Sequence, residues 1–213
     1  MNMAKISNNE LSTHAYKKVR SMIMSKKLIP GQKIVQDKLA ENLGISRTPL
    51  RSALQMLEGE GLIESVPRRG VIVKEFSDKG VLEIYDCRIA LESTAIRLFT
   101  ERASEKEVSQ LRALFQPFVE GKINKVAYQK ADTKFHDAII RGCGNNFLNK
   151  LFRQGNLLVC IDLIGLLRLP EETLQEHMDI IDAIEKRDVD LAESLAKLHL
   201  NRTKELILKR IDD

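Results

Sequence analysis

The chain has no tryptophan, three cysteines, five prolines and only 5% aromatic residues in its 213 positions. Each scarcity excludes something. Cys87, Cys143 and Cys160 form an odd, widely spaced set without a CxxC pair, which argues against a disulfide framework or a thiolate zinc site; reduced thiols in a cytoplasmic protein are expected. No apolar run approaches the roughly 18 residues of a membrane span. The greasiest stretch, Leu157 to Leu169, is interrupted by Asp162 and Arg168, and the first residues, Met1 to Ile6, lack the apolar core of a signal peptide. A Gly-rich phosphate loop is also missing. What remains is a chain 43% hydrophobic and 30% charged, expected to be mainly α with a core built on Leu and Ile.

Its charge is unevenly placed. Residues 1–76 hold 13 Lys and Arg against 7 Asp and Glu, net +6, whereas the remaining 137 hold 21 against 23, net −2. Phosphate binding needs positive charge at the point of contact rather than on average. Two domains are therefore expected, a basic one over 1–76 and an all-helical one over 77–213.

Within the first, apolar positions at helical spacing predict a helix over Thr13–Met24, with residues 1–11 loose, and a stop at Pro30-Gly31. A short helix fits Val35–Leu43, closed by Gly44. Ser46 is placed to cap the next, Pro49 lies in its first turn, and Leu50, Ala53, Leu54 and Leu57 form its apolar face down to Glu60. Leu62–Val66 and Gly70–Lys74 read as two strands around Pro67-Arg68-Arg69. This is a winged helix-turn-helix with a small β wing. Arg47 and Arg51, four apart, share the face of the second helix that reaches base edges, where an arginine fork matches the two acceptors of guanine. Ser46 and Thr48 can donate to phosphate from the helix N-terminus, and Arg68, Arg69 and Gly70 make a basic wing tip. Double-stranded DNA is the expected partner, a pseudo-palindrome bound by a homodimer.

The segment from Tyr16 to Lys74 resembles the winged helix-turn-helix of the GntR family of bacterial transcription regulators. The likeness rests on Leu43-Gly44-Ile45-Ser46-Arg47-Thr48-Pro49-Leu50-Arg51 and on Glu60-Gly61-Leu62-Ile63 before Arg69-Gly70. It implies contacts to DNA from Ser46, Arg47, Thr48, Arg51 and Gly70. One departure stands out: the family often has an acidic-basic pair opening the preceding helix, its arginine reading DNA, whereas this chain has Gln36-Asp37.

Past Ser77 only helical signals occur. Helices are expected over Ser77–Thr100, from a capping box at Ser104 to Glu107, around Asp132–Arg141, over Asn146–Leu169, around His177, and over Val189–Lys209, packed as an antiparallel bundle. Three of the four histidines, His136, His177 and His199, fall on separate helices, and Asp132 shares the face of His136. An aspartate with three imidazoles suits Zn²⁺, Ni²⁺, Mn²⁺ or Fe²⁺.

Ser77–Lys209 looks like the helical effector domain called FCD, found in one large GntR branch. The matching fragments are Tyr85–Glu92, Asp132–His136, Gly144–Leu148, Glu176-His177 and His199. The resemblance implies a divalent metal, zinc first among the candidates, on Asp132, His136, His177 and His199. It also implies an acid ligand met by Arg88, for which a salt bridge to Glu92 is the competing reading. Arg168 and Asn145 are weaker pocket candidates, and Asn145 serves equally well as a turn residue. The leading expectation is a ligand-responsive regulator, a repressor by the habit of the family, whose operator affinity answers to a small organic acid. Two rivals remain open here. His136-Asp137 is an HD dipeptide, as in metal phosphohydrolases, although no ligand histidine precedes it in the same bundle. Alternatively, the histidines fill a core, no metal binds, and the bundle only dimerises a constitutive repressor.

Overall fold

The computed structural model describes residues 8–119 and 121–212; the expectations for residues 1–7 lie outside them. The chain divides into two compact units, with the boundary between Glu75 and Phe76.

The first unit contains α1 (Asn8–Met24), α2 (Gln36–Leu43), α3 (Arg47–Gly59), β1 (Ile63–Val66) and β2 (Gly70–Val73). Ala15, Val19 and Ile23 of α1 are buried with Leu50, Ala53, Leu54 and Leu57 of α3, the two helices packing directly on one another. Helix α1 begins at Asn8, so the chain is helical over four residues expected to be loose, Asn8 to Leu11. Ser12 helps, its hydroxyl donating to the Asn8 carbonyl at 2.7 Å. Gly44 ends α2 at φ +65, the left-handed conformation that returns its N–H to the Ala40 and Glu41 carbonyls. The antiparallel hairpin pairs Ile63 with Val73 and Val66 with Gly70. Lys33 joins its outer edge by a bridge to Ile72.

The second unit is helical throughout: α4 (Asp78–Arg102), α5 (Glu105–Val119), α6 (Lys125–Gly142), α7 (Asn146–Gln154), α8 (Leu157–Ile164), α9 (Pro170–Glu185) and α10 (Val189–Asp212). The long helices α4 and α10 run against each other, α9 packs on α10 and α5, and α6 packs on α4 and α5. The capping box is present: Ser104 Oγ accepts from the Glu107 N–H while the Glu107 carboxylate accepts from the Ser104 N–H at 2.9 Å.

Two expectations need correcting. The single helix over Asn146–Leu169 is two helices, because Asn156 takes φ +50 after Gly155, and Gly165 at φ +80 ends the second before Leu169. The core is also less purely aliphatic than expected. Phe99, Phe115, Phe135, Phe152 and Tyr128, half of the chain's ten Phe and Tyr, are essentially fully buried in this unit. Phe115, Phe135 and Tyr128 surround one histidine, described next.

Candidate DNA interface and metal centre

In the first unit, α3 presents its polar face to a concavity of about 720 Å³ lined by Gln36, Arg47, Thr48, Arg51, Gln55 and, from the wing, Ser65 and Val71 among others. Arg47, Thr48 and Arg51 thus share one surface, with Gln36 from α2 beside them. Ser46 occupies the capping position in extended conformation, yet its side chain makes no capping bond. Its hydroxyl is therefore not spent on the helix. At the wing, Arg68 has φ +63 and Gly70 φ +82, which turns the chain within three residues. The Lys33 side chain packs beside Gly70, 3.6 Å from where a Cβ would stand, and adds a cation to Arg68 and Arg69 that spacing along the chain gave no means of finding. Asp37, the departure noted above, meets Arg47 with Oδ1 2.6 Å from Nε.

In the second unit, the buried faces of three helices converge. Helix α6 supplies Asp132 and His136 four residues apart, α9 supplies His177, and α10 supplies His199. One donor atom from each lies within 4.8 Å of the other three. His136, His177 and His199 are respectively 3%, 0% and 6% exposed, and Asp132 is 9% exposed.

Each imidazole is held from behind. The His177 Nδ1 lies 3.1 Å from the Tyr128 hydroxyl, which also meets Thr173 Oγ1 at 2.9 Å. The His199 Nδ1 contacts Glu176 Oε2 at 2.7 Å. The His136 Nδ1 approaches Glu92 Oε2 at 2.5 Å, close enough for an ion pair but without hydrogen-bond alignment. These contacts turn the Nε2 atoms inward. The His177 Nε2 stands 3.3 Å from Asp132 Oδ1 and the His136 Nε2 3.8 Å from the same oxygen. The phenyl ring of Phe115 stacks on His177 with centroids 4.5 Å apart, and Phe135 meets its edge at 5.0 Å.

Do these residues fit a metal? Fully buried and without a hydrogen bond among the described residues, the His177 Nε2 faces Asp132 but is costly unless something binds there. Neighbouring donors about 2.1 Å from one ion stand about 3.0–3.4 Å apart, so donors now within 4.8 Å would have to close by about an ångström or more. Protonation states agree. Burial would raise the Asp132 carboxyl, but the contact with His177 and the surrounding imidazoles outweigh it and hold the group well below the usual range. Burial depresses His177, and burial with repulsion between the two imidazoles on protonation pushes His199 down to about 4. At neutral pH the cluster offers a carboxylate and two imidazoles held neutral by their surroundings, a donor set that needs no deprotonation. The residues fit, and a divalent ion here would supply Lewis acidity and open positions for an oxygen ligand.

The same shifts set a pH dependence for metal-free protein. Unfolded histidines take up protons near pH 6.5, whereas folded His177 and His199 resist until lower pH. Protons then favour the unfolded chain, so stability is complete above about 6.5 and falls as pH drops towards 4, by about 3 kcal/mol for His199 alone. Below about 4.5, loss of the depressed Asp132 and Glu176 carboxylates adds to the fall. Urea unfolding of chelated protein between pH 7.5 and 4 measures this. A flat profile from 7 to 5 would contradict neutral buried imidazoles.

The remaining candidates have partners. Arg88 is 3% exposed, with Nε 2.6 Å from Glu92 Oε1 and its Cζ 4.8 Å from the Tyr85 ring centroid. The structure thus contains the salt bridge that was the competing reading of Arg88: Nε is spent on Glu92, which reaches His136 with its other oxygen. Arg168 is more fully committed, with Nη1 and Nη2 on Glu176 at 2.7 and 2.9 Å and Nε 3.5 Å from Glu172. Asn145 caps α7 by accepting from the Leu148 N–H. That Glu92, Glu176 and Tyr128 back the three histidines was not found from the sequence. Glu176 adjoins His177 but serves His199, 23 residues on, a pairing that only packing creates. Asp137 is not in the cluster: its Oδ2 pairs with Arg141 Nε at 2.7 Å, on another side of α6, so the HD dipeptide does not act as a unit.

A winged helix-turn-helix with arginines on an exposed recognition face, linked to an all-helical second unit, defines a DNA-binding transcriptional regulator. Comparison with known proteins completes the assignment. The family model "Bacterial regulatory proteins, gntR family" matches residues 11–73, and the "FCD domain" model matches 83–202. The probable D-xylose utilization operon transcriptional repressor of Paenarthrobacter nicotinovorans is 30% identical over 80% of this chain and 76% of its own length. The gluconate operon transcriptional repressor of Bacillus licheniformis is 28% identical over 86% and 78%. A crystal structure of a putative GntR transcriptional regulator from Rhodococcus sp. RHA1 superposes with a TM-score of 0.78, at 22% identity, over 93% of this chain and 97% of that one. The chain belongs to the GntR family, in its FCD-containing branch. It is a transcriptional regulator and not a hydrolase.

Proposed function

We propose that the protein is a homodimeric repressor whose operator affinity is set by a small organic acid captured at a divalent-metal centre on Asp132, His136, His177 and His199. The observation that carries this reading is the convergence of the three imidazoles, each backed at Nδ1, with Nε2 of His136 and His177 turned to Asp132 and a His199 donor within 4.8 Å of the rest. Outer partners of this kind fix ring orientation and raise the basicity of a metal ligand. Zinc is the first candidate, since it accepts imidazole and carboxylate donors and would take an oxygen of the acid by expanding beyond four ligands, with nickel, manganese and iron behind it. Arg88, with Nε on Glu92, would grip the far end of an acid with its Nη atoms. Arg168 and Asn145 stand further back, being held by Glu176 and by the start of α7. Relatives named for the gluconate and D-xylose utilization operons favour a polyhydroxy acid or a sugar-derived ligand.

For DNA, Ser46, Thr48, Arg69 and Gly70 would position the duplex by its phosphates, and Arg47 and Arg51 would reach base edges. Arg51→Ala is expected to weaken specific binding by about tenfold or more, with a smaller loss on unrelated duplex, because a bidentate contact to a base supplies about 1–3 kcal/mol of discrimination. Fluorescence anisotropy with the two duplexes separates the effects.

The function is tested by following operator release from zinc-loaded protein with a panel of hydroxy acids, sugar acids and dicarboxylates. One acid should release DNA, and His199→Ala or chelation should abolish its effect. Release that persists without metal, or no response to any acid at saturation, rejects the reading.

A further inference from the structure

We infer that Asp37 is a positioning residue for base recognition: it holds the Arg47 guanidinium by its Nε edge, so that the two terminal nitrogens face the major groove and select guanine. The inference rests on the reading that Arg47 contacts DNA.

Four observations support it. Asp37 is the second residue of α2 and Arg47 the first of α3, so the contact reaches across the turn from one helix to the next. The carboxylate is stable at its own helix start, where the dipole favours an anion. Its Oδ1 is 2.6 Å from Arg47 Nε specifically. Arg47 also lines the concavity with Thr48, Arg51 and Gln55, the surface that would receive the duplex.

The chemistry follows from the shape of the fork. A guanidinium can present to a base either its side, Nε with one Nη, or its end, the two Nη atoms. With the Asp37 carboxylate lodged against Nε as an ion pair, the side of the fork is blocked and the end remains, and its two parallel donors match guanine O6 and N7. A free arginine at this exposed position would spread over many rotamers and settle on any nearby phosphate. Side chains of Arg47 and Asp37 are 76% and 62% exposed, so the pair contributes little to folding. Its value would lie in restricting Arg47 before DNA arrives. The carboxylate also repels phosphate, and this cost falls on every sequence alike, whereas the benefit falls only on the sequence with guanine in reach. An anion inside a cationic interface thus lowers general affinity while raising discrimination.

The test is selection from a random duplex library with the full chain, followed by competition binding at fixed salt. Wild type should enrich a guanine at one position of each half-site. Arg47→Ala should lose that enrichment. Asp37→Ala should lose about tenfold of the preference at the same position while binding unrelated duplex more tightly, and Asp37→Glu, which keeps a carboxylate in reach of Nε, should keep most of it. If Asp37→Ala tightens binding to all duplexes and the preference stays, Asp37 only repels phosphate and the inference is overturned. If Arg47→Ala leaves the enriched site unchanged, Arg47 does not read a base and the underlying DNA-contact reading falls instead. Unchanged circular dichroism melting of each variant, expected for two exposed side chains, shows that folding is not the cause.

Discussion

Stripping divalent metal from zinc-loaded protein is expected to lower its melting midpoint by about 5–10 °C. A ligand that binds only the folded state stabilises it by about 2.7 kcal/mol at a hundredfold excess over its dissociation constant. In a domain pair of this size each kcal/mol shifts the midpoint by roughly 2–4 °C. The magnitude is plausible because the folded protein already bears the cost of bringing the donors together: His177 is fully buried between Phe115, Phe135 and Tyr128, with Nε2 lacking a hydrogen bond among the described residues. Metal binding relieves that cost instead of imposing it. Replacing His177 with Phe keeps the ring volume beside Phe115 but removes the donor, so this variant should show no difference between loaded and chelated samples. His177→Ala would lose metal response and packing together, which makes Phe the cleaner variant. Differential scanning calorimetry with and without chelator decides the matter. Identical midpoints for wild type in both conditions would favour the reading in which the histidines merely fill a core.

Arg88→Ala should destabilise the protein by about 3–5 kcal/mol, a melting shift on the order of 10 °C. The cause is the partner left behind. Glu92 is 2% exposed; burial alone would raise its carboxyl, and it is the Arg88 charge, followed by His136, that brings it down to about 2. Without Arg88 a buried carboxylate remains, with only His136 and its surroundings to offset it. The double replacement Arg88→Leu with Glu92→Leu should recover much of the loss, since a buried ion pair exchanged as a whole for apolar side chains is often close to neutral. It should nevertheless weaken metal binding, because His136 then lacks its outer partner. Stability and metal affinity therefore separate in the double variant, by urea unfolding on one side and metal titration on the other. If Arg88→Ala melts within about 1 °C of wild type, the guanidinium is not committed to Glu92 and its place in the bundle has to be reassigned.

The two carboxylates beside the centre illustrate why part of the site could be read along the chain and part could not. Asp132 and His136 are four apart on one helix, and that spacing alone puts them on one face. Arg88 and Glu92 obey the same rule, which is why their salt bridge was an expected alternative. Glu92 to His136 and Glu176 to His199 cross from one helix to another, and no local periodicity encodes which helices will be neighbours. Errors in the fold had a similar origin. The apolar run from Leu157 onward is compatible with continuing a helix, but the Gly155-Asn156 pair accepts a left-handed turn, and packing of α8 against α6 and α7 decides that it does.

The sequence by itself determined the basic first domain, the turn and serine before a doubly arginine-bearing helix, the wing, the helical second domain and the four donors. These depend on charge placement, on residues with restricted backbone conformations, and on spacings of three or four along a helix, all of which are local properties. Only the tertiary structure decided that the three histidines meet, that Tyr128, Glu92 and Glu176 back them, that Asp137 turns away, and that Asp37 seizes Arg47. Those relations join residues that approach only when helix faces are buried against one another, and burial is a property of the assembled unit rather than of any segment.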